Sequence, residues 1–153
     1  MFASEMLKLA SAYAKLHSGC LKVQVGCVIV KDGKILALGA NRTIPNFCKT
    51  PRGCLRVEKY GENTKDHRNP EDCRAIHSEI DAICNSCDNL TGAVMYITRY
   101  PCEDCARAIV AAGIKTVVYG RDQEISPETA RIFEYYNVDV LHYWEFTEED
   151  VNY

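Results

Sequence analysis

From residue 93 onward the chain alternates short apolar runs with helix-forming stretches, and that alternation leaves few folds open. "AVMYIT" (93–98), "TVVYG" (116–120) and "VDVLHYW" (138–144) read as strands. Between the first two lies "PCEDCARAIVAAG" (101–113), a helix that Gly113 ends as its C′ residue. Between the second and third, Ser126-Pro127-Glu128 opens another helix with a cap and a proline at its first position. Strands joined through helices lie parallel, and such crossovers are right-handed. Upstream, "VGCVIVKDGKILALGA" gives two strands, Val25–Val30 and Lys34–Ala40, joined by a turn at Asp32-Gly33. Met6, Leu7, Leu9, Ala10, Tyr13 and Leu16 recur at helical spacing, with Ser4 placed to cap that helix. "IHSEIDAICNS" is a further helix with Ile76, Ile80 and Ile83 on one side. The order α-β-β-loop-α-β-α-β-α-β predicts one mixed sheet with helices on both faces, a three-layer α/β domain spanning 1–153.

Residues 41–76 break the pattern. They are polar, punctuated by Pro45, Pro51, Gly53, Gly61 and Pro70, and show no clear period. A loop of that length in a compact domain is functional or is held by something.

The 153 residues hold nine cysteines and a formal net charge of −3. That charge gives no general attraction to nucleic acid or to an anionic membrane. The start, Met1-Phe2-Ala3-Ser4-Glu5, builds no apolar leader, and no stretch reaches the roughly 20 apolar residues of a membrane span. The expected location is the cytoplasm, where thiols stay reduced, and an odd cysteine count argues against a disulfide framework. Cys27, inside an apolar strand, reads as a small buried hydrophobe. Several of the others stand close to histidines, which points to metal.

Cys102 and Cys105 occupy the first turn of a helix behind Pro101. Alone, such a pair suits a redox couple acidified by the helix end, two structural thiols, or a metal. His77 and Glu79 narrow the choice, because they lie at the start of the preceding helix. Adjacent helices on one face of a sheet bring their N-termini together. One imidazole and two thiolates then give three ligands of a tetrahedral zinc, with the fourth position left for water, as catalytic sites require. Glu79, two residues beyond His77, stands beside that water as a proton shuttle. A closed site would need a fourth protein ligand. His-x-Glu followed by Pro-Cys-x-x-Cys is the signature of zinc nucleobase deaminases.

On these residues the chain resembles the cytidine deaminase superfamily, and among its members the deoxycytidylate (dCMP) deaminases. "VQVGCVIVKDGKILALGAN", "CRAIHSEIDAI" and "MYITRYPCEDCARAIVAAGIKTVVYG" are similar to the family's first hairpin and its two zinc helices, from about Met6 to His142. The resemblance implies a five-stranded sheet between helices and a homo-oligomer, usually a hexamer. It implies hydrolysis of dCMP to dUMP and ammonia: hydroxide generated at the zinc attacks C4, and Glu79 carries the proton to N3 and then assists the amine. Asn41 matches an asparagine that contacts the sugar, and backbone amides near Ser78 hold the pyrimidine carbonyl. Regulated members bind dCTP, with Mg²⁺, at Gly-Tyr-Asn-Gly; here the segment is Gly39-Ala40-Asn41-Arg42. The resemblance to microbial and viral members extends to a second, structural zinc, with Cys20, Cys48, His67 and Cys73 as ligands and Cys54 as the substitute for Cys48. Scattered reduced thiols are the alternative.

The weaker signals point elsewhere. His17 and His142 have no partner at motif spacing. Cys84 and Cys87 read as packing residues, and Arg107 either reaches a phosphate or covers a solvated helix face. Tyr135 and Tyr136 read as packing rather than base-stacking rings. The competing activities are deamination of cytidine, of a riboflavin precursor or of adenosine in tRNA, the last disfavoured by the missing basic surplus. A zinc or redox module without catalysis is the remaining alternative.

Overall fold

The computed structural model describes residues 2–20, 22–43, 48, 53–61, 73–121 and 126–143. In chain order the elements are α1 (Phe2–His17), β1 (Gly26–Lys31), β2 (Lys34–Ala40), α2 (Leu55–Tyr60), α3 (Ser78–Asn85), β3 (Val94–Arg99), α4 (Glu103–Ala111), β4 (Thr116–Arg121), α5 (Pro127–Tyr135) and β5 (Asp139–His142). The five strands form one sheet in the order β2-β1-β3-β4-β5. β1 runs antiparallel to both β2 and β3, whereas β3, β4 and β5 are parallel.

Period-two alternation divides the core between the two faces. Cys27, Ile29, Met95, Ile97 and Val117 face one way and meet Ala82 of α3, Ala106 and Ile109 of α4, and Ile132 and Phe133 of α5. Val28, Val30, Tyr96 and Val118 face the other way and meet Leu7 and Ala10 of α1. Each fully buried aliphatic or aromatic side chain here contributes roughly 1.5–3 kcal/mol. The result is the expected three-layer α-β-α arrangement. Because α3 and α4 lie on one face beside each other, their first turns open toward the same place.

Local signals fix most boundaries. Asp32 and Gly33 take φ of 51° and 75° in a two-residue hairpin loop whose flanks, Lys31 and Lys34, are partners. After α4, Gly113 takes φ of 81°; its N–H donates to the Val110 carbonyl and the next N–H, of Ile114, to Ile109. That is the Schellman closure, and it needs the left-handed backbone that glycine adopts without penalty. The Ser126 hydroxyl accepts from the Glu128 N–H at the start of α5, with Pro127 at the first position.

Four expectations need correction. Ser4 lies inside α1, which already begins at Phe2, so it caps nothing. Ile76 lies outside α3 in an isolated bridge with Arg42 and is 42% exposed, so it does not share a face with Ile80. Within the segment read as irregular, Leu55–Tyr60 forms α2, six residues long and without a buried residue. So short a helix shows no apolar stripe. It is tied down instead by the ion pair of Arg74 with Glu58 at 2.8 Å. Cys84 and Cys87 are exposed rather than packed.

Candidate metal centre

His77 is the N-cap of α3 and Cys102 the N-cap of α4. Both have extended backbones, and neither side chain caps its own helix, which leaves the donor atoms free to turn toward each other. Cys105, three residues on, points back over the first turn of α4. The Nδ1 of His77 lies 3.5 Å from Cys102 Sγ and 3.3 Å from Cys105 Sγ. All three donor atoms fall within 4.8 Å of one another, and no fourth metal-binding side chain joins them among the described residues. A tetrahedral zinc with ordinary Zn–S and Zn–N bonds holds nitrogen and sulfur about 3.6 Å apart. The trio fits such an ion.

The electrostatics suit a cation as well. A hydrogen bond from the Cys105 thiol, and then one from His77, holds Cys102 down to about 4. The same thiol contact and burial push Cys105 far up. His77 is raised chiefly by its hydrogen bond with Cys102, against the effect of burial. A soft-binding dication held here would displace the Cys105 proton and take both sulfurs as thiolates.

Glu79 is outside the trio but beside it. It is buried, 4% exposed, and burial raises its carboxyl above the ordinary value while the His77 charge opposes that. The Ser78 hydroxyl donates to Glu79 Oε2 at 3.0 Å, a contact that the sequence reading of Ser78 missed. Cys27 is fully buried on the sheet face below, and its thiol is raised by burial first and then by the Glu79 and Asp81 carboxyls. Gly39 lets α3 approach the sheet: a Cβ there would stand 2.5 Å from the Ala82 amide nitrogen.

Asn41 lies one residue beyond β2 and bonds inward. Its Oδ1 accepts from the Ser18 hydroxyl at 2.6 Å and the Val25 N–H at 2.9 Å, and its Nδ2 donates to the Val23 carbonyl at 2.8 Å. Among the described residues, one amide N–H is left for another partner. Cys20 accepts two backbone N–H bonds, from Lys22 and Val23, at 3.4 Å each. Cys48, raised mainly by burial, also feels Cys20, Cys73 and Cys54. These four thiols are thus neighbours, without the tight convergence of the first trio. His67 lies outside the described residues.

The remaining candidates are structural or solvent-facing. His17 contacts Tyr13, and His142 stacks on Tyr119 at 4.8 Å. Arg107 is exposed and donates to Asp104. Tyr135 and Tyr136 meet edge-to-face and stay exposed. A clamp between Arg42 and Asp81 also escaped the sequence, since no local motif links positions so far apart.

The family model for the cytidine and deoxycytidylate deaminase zinc-binding region matches residues 2–121. The chain belongs to this family. Its relatives include ComE operon protein 2 of Bacillus subtilis (strain 168), 37% identical over 115 residues, covering 72% of this chain and 54% of that protein. Human deoxycytidylate deaminase is 35% identical over 93 residues, 60% of this chain and 49% of that protein. The chain thus spans about half the length of these curated relatives. Among solved structures, the dCMP deaminase of cyanophage S-TIM5 in complex with dCMP and dUMP superposes with a TM-score of 0.72 at 27% identity, covering 92% of this chain and 96% of that one. The matched stretch contains His77, Glu79, Cys102 and Cys105 and the strands β1 to β4. No helix among the described residues is long and apolar enough to cross a membrane.

Proposed function

We propose that this chain is a zinc-dependent dCMP deaminase that converts dCMP and water into dUMP and ammonia. One observation carries the reading: a buried carboxyl, Glu79, stands next to a His-Cys-Cys trio whose spacing fits zinc, and it is not itself one of the donors. His77, Cys102 and Cys105 would hold the ion, which supplies Lewis-acid activation of water at neutral pH. Glu79 takes the proton from the water and delivers it to N3 of the cytosine, then assists the departing amine. Burial suits that duty, because a carboxyl raised toward neutrality both accepts and releases a proton. The Ser78 hydroxyl holds Glu79 in one rotamer, backbone amides near it receive the pyrimidine carbonyl, and the spare N–H of Asn41 reaches the sugar. The phage enzyme solved with dCMP and dUMP, similar over most of both chains, supports the substrate class.

The finer features come from family resemblance. The assembly is a homo-oligomer, a hexamer, in the cytoplasm, and regulation by nucleotide with Mg²⁺ would use Gly39 to Arg42. A second, structural zinc is held by Cys20, Cys48, His67 and Cys73, with Cys54 replacing Cys48. The gathering of Cys20, Cys48, Cys54 and Cys73, and the two N–H bonds to the Cys20 sulfur, support it.

The deciding experiment follows ammonia release from dCMP, CMP, deoxycytidine and dCTP side by side. Turnover of dCMP far above the others is expected. Turnover of the unphosphorylated nucleoside alone overturns the substrate, and release from none of them overturns the deaminase.

A further inference from the structure

Arg42 grips both ends of the catalytic stretch. It lies two residues beyond the end of β2, and its backbone forms an isolated antiparallel bridge with Ile76, the residue before His77. The Arg42 N–H donates to the Ile76 carbonyl at 2.9 Å, and the Ile76 N–H donates back at 2.8 Å. The Arg42 side chain then reaches past the ligand, and its Nε donates to Asp81 Oδ1 at 2.7 Å. Asp81 lies two residues beyond Glu79, and its side chain is 2% exposed. Its second oxygen accepts the Ala40 N–H at 3.1 Å, from the last residue of β2. The proposed metal ligand and proton shuttle are therefore bracketed, Ile76 on one side and Asp81 on the other, by one residue of the sheet edge.

The energetics favour a geometric role over a stabilising one. A carboxylate this buried is costly unless its oxygens are bonded, and Arg42 with the Ala40 N–H provides those bonds. Half of the Arg42 side chain stays in water, so screening leaves the pair little net stabilisation. What remains is direction. The guanidinium edge fixes the carboxylate, and the carboxylate fixes the first two turns of α3 against β2.

We propose that Arg42, acting through Asp81, is a positioning residue that holds His77 and Glu79 in register with Cys102 and Cys105. The proposal rests on the deaminase reading, and its test separates the two. Three variants are compared with the wild-type holoenzyme: Arg42→Ala, Arg42→Lys, and Arg42→Ala with Asp81→Asn. For each, kcat and KM with dCMP, zinc release to a chromogenic chelator, and thermal unfolding are measured. Outer partners of metal ligands typically matter about 10- to 100-fold. Arg42→Ala is expected to lower kcat about tenfold with KM within about twofold, and to speed zinc release by a similar factor. Arg42→Lys, which keeps the charge, recovers part of both. The double variant has no buried charge left unpaired; it melts close to wild type yet stays slow.

A double variant with wild-type kcat and wild-type zinc release overturns the proposal. So does a rise in KM at unchanged kcat, which would make Arg42 a substrate contact. A wild-type chain that releases no ammonia defeats the deaminase reading instead, and zinc release in the same variants then decides the clamp alone.

Discussion

Gly39→Ala isolates the effect of where α3 sits. Gly39 pairs with Cys27 across β1 and β2, and its backbone is ordinary strand, so alanine adds no dihedral strain. The cost is steric. The new methyl would meet the Ser78 carbonyl, and it would stand 2.5 Å from the Ala82 nitrogen and 2.8 Å from its Cβ, where ordinary contact begins at 3.4 Å. Two of these three atoms are backbone, so the helix must recede by about 0.9 Å for the closer of the quoted contacts to become ordinary. Overpacking of this kind costs about 1–3 kcal/mol, and for a chain of this length each kcal/mol lowers Tm by about 2–4 °C. A displacement of about 1 Å in a reacting group costs about 100-fold in rate. The helix that recedes carries Glu79 and is capped by His77. Gly39→Ala is therefore expected to lose about 100-fold in kcat while melting only modestly earlier, measured by saturating dCMP turnover, circular-dichroism melts and zinc content. Gly92→Ala provides the contrast. Gly92 has φ of 81° and open space where its Cβ would go, so the substitution costs about 1–2 kcal/mol of backbone energy and leaves turnover intact. A folded, zinc-loaded Gly39→Ala enzyme with wild-type turnover would refute the claim that the spacing of α3 from β2 sets the site.

Glu79→Gln is expected to lose about 10²- to 10⁴-fold in kcat with zinc retained, which metal analysis beside steady-state kinetics checks. The same variant carries a stability signature. Burial raises the Glu79 carboxyl above its ordinary 4.5, so the folded chain holds that proton more tightly than the unfolded chain, and stability falls as pH rises through the raised value. Metal-free Glu79→Gln should then melt higher than metal-free wild type at neutral pH, with the gain gone below about pH 4; equal melting at both pH values would count against a buried, raised carboxyl. Cys102→Ser or Cys105→Ser should strip the catalytic zinc. In the unsubstituted chain zinc affinity should drop as pH falls, because protons compete for the thiolates; titration against a chelator at several pH values follows it. Two zinc ions per chain are expected, with Cys73→Ser reducing the count to one; a single ion unchanged by that substitution removes the second site.

The sheet and its helices were readable because their signals are local. Ser126-Pro127, Asp32-Gly33 and Gly113 each announce a boundary through their own backbone or side-chain chemistry. Asn137, with φ of 55°, closes α5 as Gly113 closes α4, and went unread because asparagine marks a left-handed cap less sharply than glycine. The trio was readable for a different reason: its members sit at two helix starts that the strand order must bring together. Contacts made across the fold left no trace. Nothing local to Arg42 or Asp81 shows that they pair, and Asn41 gives no sign that its amide is largely spent on Ser18, Val23 and Val25. The α2 helix escaped because it buries no residue.

The three proposed zinc donors divide between two helix beginnings, His77 on one and Cys102 with Cys105 on the other, 25 residues separating His77 from Cys102. Neither half carries three donors by itself, so the full set exists only where α3 and α4 lie side by side on the sheet. Binding the proposed zinc there would favour the docked arrangement of the two helices over the undocked one.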